Sequence, residues 1–464
     1  MTSLFLTFTC GVISMKIQFT RIKEVLTHFA GMAGVGSLVD LTKLKTRLNH
    51  THLKEAPRPT IPHGDVATAY LGLLCQGKTD FDHIEALRED EWFFQSLGLK
   101  AVPSSPTLRQ RLDQGAQNPQ WLSIILAENT TLLRRSQTTI TPVVAGEKRY
   151  APLDIDVSPF NNSGTKKEGV SWTYKGFEGY SPIFAYLGRE GYAINVELRE
   201  GKDHCQKKTE PFLRESIRSS QAVTKMPILV RMDSGNDSRA NLKACIDTHA
   251  DFIIKRNLRK EKPEFWLAYA QEHAVAEAER AGKIVYRGVK ELTLTIAKKK
   301  YPLRMVYIVT ERTILANGQI LLTPAVEVAS YWTTLTVEPK KIEELYRDHA
   351  TSEQFHSEIK TDMDLERLPS GKFETNKLIL TLAIFAYNIL RIMGQYSLGD
   401  PQTPLKRKAE RRRIRTVIQN LITCAARFIK HSRRLALGFA VSNKWYAVIK
   451  NIYEKFHSLA EVPV

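Results

Sequence analysis

The sequence offers almost no cysteine chemistry. Its 464 residues hold five cysteines, Cys10, Cys75, Cys205, Cys245 and Cys424, scattered and never spaced C-x-x-C. That argues against a disulfide framework and a cysteine-rich zinc site, and favours a reducing cytoplasm. Long apolar runs are missing too. LILTLAIFAYNIL, at 378–390, has 13 residues, which suits core packing and is too short to cross a bilayer. No lipidation signal, internal repeat or low-complexity tract stands out, so no membrane partner is expected. Acidic residues are in deficit. There are 49 Asp and Glu against 67 Lys and Arg, a formal net charge of +18, and the pI is about 9.5. A strongly basic globular chain points to a polyanionic partner, most often nucleic acid.

What is present reads as a folded chain long enough for about three units at ~150 residues each. Residues 2–15 carry no charge and Lys16 follows them. A signal peptide wants its positive charge first, so 1–14 reads as a peripheral extension, with Met15 as an alternative start. Helical spacing is expected at 16–30 (Ile17, Phe19, Ile22, Val25, Leu26), at 64–77, and at 80–97 behind an Asp80 cap. Pro103 and Pro106 then break the chain, Ser104 or Ser105 caps, and a helix with Arg109 and Arg111 begins. Residues 1–145 therefore read as a helical unit suited to binding DNA, although a plain bundle with a basic face has the same pattern.

From about 148 the pattern changes. YAPLDIDVS (150–158), SPIFAYLG (181–188), YAINVELRE (192–200), MPILVRMD (226–233) and DFIIKRN (251–257) read as strands, with a tight Gly188–Gly191 turn between the second and third. Asp203 is expected to cap a helix over 204–220, and Asp237 or Ser238 one ending near 249. A hairpin sheet followed by crossover helices is the ribonuclease H-like α/β arrangement, over 146–400. Within it, 258–336 reads as a β-rich insertion, helical to about 285 and β thereafter. Helices are expected at 340–362 and 373–396, and a basic helical region at 401–464. In 405–434 stand Lys406, Arg407, Lys408, Arg411, Arg412, Arg413, Arg415, Arg427, Lys430, Arg433 and Arg434, with Glu410 the one acid. A duplex-backbone contact is the favoured reading over a solvated face.

Three acids stand out. Asp156 ends the first strand, with Asp154 two residues earlier on the same face. Asp233 ends a buried apolar strand, where a charge is costly unless paired or metal-bound. Glu353 lies mid-helix, with Tyr346, His349 and Lys360 at offsets of 7, 4 and 7, on one stripe. Phosphodiester cleavage needs an activated water and a stabilised leaving oxygen. Two Mg²⁺ ions about 3.5–4 Å apart serve both, held by a few carboxylates from separate elements.

These residues resemble the DDE transposases of bacterial insertion sequences, in the branch with a Tyr-x2-Arg-x3-Glu-x6-Lys signature. The signature reads here Tyr346, His349, Glu353 and Lys360, so His stands at the Arg position, with Arg347 nearby in another register. LDIDVS and VRMDSG resemble the strands of the two aspartates, and the likeness runs over roughly 15–395. It implies cut-and-paste transposition: binding of terminal inverted repeats, nicking, release through a hairpin intermediate and joining to target DNA. Asp156 (or Asp154), Asp233 and Glu353 would hold two Mg²⁺, with Mn²⁺ as substitute. Tyr346, His349 and Lys360 would face phosphates, and Trp332 or Tyr331 would stack on a flipped base. The partners implied are the double-stranded DNA of element ends and target, and a second copy in a homodimeric synaptic complex, in the nucleoid. Two other readings compete. One is a non-catalytic DNA-binding relative. The other is a haloacid-dehalogenase-type phosphatase, since Asp154-x-Asp156-x-Ser158 fits its nucleophile motif; the hairpin that follows and the +18 charge argue against it.

Overall fold

The computed structural model describes residues 19–462 except 22, 297, 407, 408 and 433. The extension 1–14, Met15, Ile17, Ile22, Arg407, Lys408 and Arg433 lie outside the described residues. Behind a short strand at 25–27, the first α-helices among the described residues are α1 (Met32–Asp40), α2 (Leu44–Asn49), α3 (His63–Leu74), α4 (Glu91–Ser96), α5 (Ser105–Ala116) and α6 (Pro119–Arg135). Ser104 caps α5 by accepting from the Thr107 amide, as its Ser/Pro context implies.

A ten-stranded mixed sheet follows. Its main strands are β1 (Lys148–Val157), β2 (Ile183–Leu187), β3 (Tyr192–Glu197), β4 (Ile228–Met232), β5 (Asp251–Lys255), β6 (Val275–Arg280), β7 (Lys283–Ile296), β8 (Lys299–Ile314) and β9 (Ile320–Thr333). They lie in the order β6-β7-β8-β9-β5-β4-β1-β2-β3, and Val143–Ala145 pairs with β1. β1, β4 and β5 run parallel at the centre, Asp154 opposite Arg231 and Ile254 opposite Met232. The crossovers between them carry α7 (Thr209–Val223) and α8 (Arg239–Asp247), and α9 (Pro263–His273) precedes β6. β2 runs antiparallel to β1, with Tyr186 opposite Asp154 and Phe184 opposite Asp156. These four side chains share one face, because opposed residues point the same way. That face is covered by α10 (Pro339–Arg347), α11 (Ser352–Ser357) and α12 (Phe373–Gly399): the Tyr186 ring meets Phe355 and Tyr387.

α12 is the one helix among the described residues long and apolar enough to span a bilayer, and 94% of its most apolar window is buried inside the protein. It packs on α3, α5, α6 and β3, so one apolar core runs from the first helices through the sheet. After α12 come α13 (Ile414–Val417), an antiparallel hairpin of Ala426–His431 and Arg434–Phe439, and α14 (Tyr446–Ala460).

Several expectations give way. Residues 25–27 form a strand paired with 426–428 instead of continuing a helix, a partner 400 residues away that local spacing cannot announce. The span 80–97 divides into a 3₁₀ turn and α4, because Asp90 caps a second start by accepting from the Phe93 amide. α7 begins at Thr209, after Lys208 at φ 56°, while Asp203 pairs with Lys207. Helix ends at His273, since 275–280 pairs with β7. The region 401–464 is helical only in part, the hairpin standing in its middle. The expected helix 340–362 is α10, a 3₁₀ turn (Asp348–Thr351), α11 and a π turn (Glu358–Asp362).

Candidate active site

Asp156 stands near the end of β1, at the rim of a cleft of about 770 Å³. Its Oδ1 accepts from the Val157 amide at 2.8 Å; its Oδ2 faces Ser352 Oγ at 3.4 Å and His356 Nε2 at 3.3 Å. Burial works to raise this carboxyl, but the hydrogen bond and charge of His356 bring it below the usual range. Asp233 follows β4 on the neighbouring parallel strand, accepting from Asn236 Nδ2 at 2.7 Å. Burial and then the charge of Asp156 push the Asp233 carboxyl up. The two carboxylates thus repel each other at adjacent strand ends. Glu353, exposed on α11, lines the same cleft, as do Tyr346, His349 and Lys360.

Asp154 has a different fate. It is buried, gripped by Arg231 through two bonds of 2.7 Å, and bonded to His349 Nδ1 at 2.9 Å. Burial opposes its charge, and Arg231 followed by His349 holds it below the usual carboxylate range. No open oxygen remains on it for a substrate, which disfavours the phosphatase reading. His349 departs from expectation as well: it is 6% exposed and spends Nδ1 on this buried pair. The Tyr346 ring packs on Tyr331 at 4.8 Å and on His349 at 5.6 Å, and burial raises its phenol. Lys360 donates to the Pro159 carbonyl at 2.6 Å over the Phe160 ring, and burial lowers its ammonium.

Other candidates fall elsewhere. Trp332 is outside the cleft: its Nε1 donates to Asp237 at 2.9 Å, and it lines a separate hollow with Phe265, Trp266 and Tyr269. Tyr331 is the neighbour that reaches the cleft. The arginines expected on DNA are largely engaged within the protein. Arg412 is buried on the Trp445 ring and donates to Ser397 Oγ at 3.0 Å. Arg411 lies over Phe355 and donates to Gln354 at 2.7 Å, and Arg413 grips Asp362 at 2.8 Å. The sequence reading missed Arg231, Ser352, His356 and Tyr174, whose hydroxyl donates to the Val157 carbonyl at 3.3 Å. Two signals were available: a charge inside the apolar strand at 231, and a histidine three residues past Glu353.

Among the described residues, no three His, Cys, Asp or Glu side chains form a close-set metal cluster. The donor chemistry still fits a hard divalent cation. Asp156 and Asp233 offer oxygens from adjacent strands, and the charge of one already raises the other, a cost that a cation relieves.

A family model, the transposase DDE domain of group 1, matches residues 27–461. The chain belongs to that family. No curated protein matches this transposase. Among solved structures it is similar to the piggyBac transposase synaptic complex with hairpin DNA, at 11% identity and a TM-score of 0.40, over 94% of this chain and 83% of that one.

Proposed function

We propose that this transposase moves an insertion sequence of the Tyr/Arg/Glu/Lys branch, binding its terminal inverted repeats and catalysing metal-dependent cleavage and strand transfer. One observation carries the reading. Asp156 and Asp233, at the ends of neighbouring parallel strands, and Glu353, on a covering helix, line a single cleft. The parallel centre with an antiparallel hairpin supports a ribonuclease H-like catalytic unit over 146–400, with 258–336 inserted and 1–145 as the DNA-binding unit.

Asp156, Asp233 and Glu353 would hold Mg²⁺ or Mn²⁺, which supplies an activated water and a stabilised leaving oxygen. The chain's own groups do the rest. Lys360, already tethered to a carbonyl, keeps donors for a phosphate oxygen, whose negative charge favours its ammonium form. The Tyr346 hydroxyl stays protonated and donates to the same strand. His349 holds Asp154 and leaves the permanent charge at the cleft mouth to Arg347. Asp156 is the first aspartate of the set, because Asp154 is sealed by Arg231.

The test is nicking and strand transfer on duplex end DNA, with Mg²⁺ or Mn²⁺ and the full chain. Asp156→Asn, Asp233→Asn and Glu353→Gln each lower nicking by orders of magnitude while binding persists. A wild-type chain that binds ends without nicking them would establish the non-catalytic reading instead.

A further inference from the structure

Asp156 is held by a chain of contacts that the family signature leaves out. His356 is buried, its Nε2 3.3 Å from Asp156 Oδ2 and its Nδ1 3.1 Å from the Tyr186 hydroxyl. Tyr186 is fully buried against Phe184, Phe355 and Tyr387. A phenol in such surroundings keeps its proton and donates it. The imidazole must then accept at Nδ1, which puts its own proton on Nε2, the nitrogen that faces Asp156.

We propose that His356, locked in one tautomer by Tyr186, is a positioning residue that aims the Asp156 carboxylate into the cleft. The proposal rests on Asp156 being a metal-holding carboxylate. Asp156 then receives donors on both oxygens from behind, Val157 N on Oδ1 and His356 on Oδ2 with Ser352 Oγ beside it. Asp156 lines the cleft together with Asp233. Partners of this kind behind a ligand typically change metal affinity by 10–100-fold. Side-chain packing supports the same conclusion: His356 lies against both Phe184 and Tyr186, at ring distances of 5.2 and 5.3 Å, so it has little freedom to swing away.

The experiment uses the full chain and Mn²⁺ as probe, with calorimetric Mn²⁺ binding without DNA and the Mn²⁺ dependence of end nicking as separate readouts. His356→Leu removes the donor and weakens Mn²⁺ binding about tenfold or more, raising half-saturating Mn²⁺ in parallel, with binding of end DNA in metal-free buffer unchanged. His356→Gln, whose amide nitrogen can take the place of Nε2, recovers most of that loss. Tyr186→Phe frees the tautomer and falls between the two. Equal Mn²⁺ affinity in wild type and His356→Leu overturns the positioning role and leaves the cleavage reading standing. So does a Gln variant as weak as Leu with the same lowered melting temperature. A wild-type chain that neither binds Mn²⁺ nor nicks ends overturns the cleavage reading, and the positioning role with it.

Discussion

Asp154 and Asp156 stand two residues apart on one strand face, and their substitutions should fail in opposite ways. Asp154→Asn strands Arg231 in the interior with half its partner gone. Breaking a buried pair costs roughly 3–5 kcal/mol, so urea denaturation should show a large loss of stability. Asp156→Asn should leave stability within about 1 kcal/mol and remove nicking. The sequence could not choose between them, because alternation gives both the same face. What separates them is Arg231, delivered by the register of a strand 77 residues on. A second residue-scale prediction concerns His63, which is buried beside Arg111, its Nδ1 3.0 Å from the guanidinium. Burial, then the charge of Arg111, lowers its imidazole to about 4. The unfolded chain therefore binds the proton more readily, and this contribution to stability is complete above about pH 6.5 and lost as the pH falls toward 4. From pH 7.5 to 5, wild type should lose ~1–2 kcal/mol more than His63→Gln, measured by urea unfolding.

At the scale of elements, the stretch from α10 to the π turn decides the geometry of the site. The stripe expected from continuous helical spacing holds in outline, since Tyr346, His349, Glu353 and Lys360 all reach the cleft. The 3₁₀ turn, however, rolls His349 toward Asp154, and the π turn buries Glu358 and Asp362. Neither irregularity has a local sequence signal; both follow from what the helix packs on. One such support is Gly191, at φ +74° in the β2–β3 turn, where an added Cβ would overlap the Phe355 ring. Gly191→Ala should cost about 2 kcal/mol or more through strain and overlap. Because Phe355 lies between Glu353 and His356, nicking should fall further than the lowered melting temperature accounts for. Elements bounded by strong local chemistry were legible: α5 behind its Ser cap, the β2–β3 hairpin, and the strands of the sheet's centre. Those set by distant partners were not, as the strand at 25–27 illustrates.

For the whole molecule, the charge of +18 remains the clearest long-range statement of the sequence, but four arginines of its most basic stretch, Arg411, Arg412, Arg413 and Arg415, have partners within the protein. If 405–434 met about five phosphates, neutralising it would reduce the salt slope of DNA binding by about 4.5. Arg412 is buried, and Arg413 and Arg415 both pair with Asp362. Replacing Arg411, Arg412, Arg413 and Arg415 with Gln should therefore change the slope by no more than about 2, read by fluorescence anisotropy across a salt series. The larger effect should be a lowered melting temperature. A slope change near 4.5 with stability intact would show that these side chains leave their partners for DNA.

The π turn beside the cleft is completed from far along the chain. Arg391 and Arg411 face Glu358, and Arg413 and Arg415 close on Asp362. The strand at 25–27, near the start, also waits for 426–428. During translation, the helices of the first third and the sheet can leave the ribosome and begin to fold while two acids beside the cleft still face water. This wall of the cleft sets only when the last tenth or so of the polypeptide emerges. A premature stop ahead of residue 411 would thus delete none of Asp156, Asp233 and Glu353, and would still withhold Arg411, Arg413 and Arg415, which brace the π turn that follows the helix of Glu353.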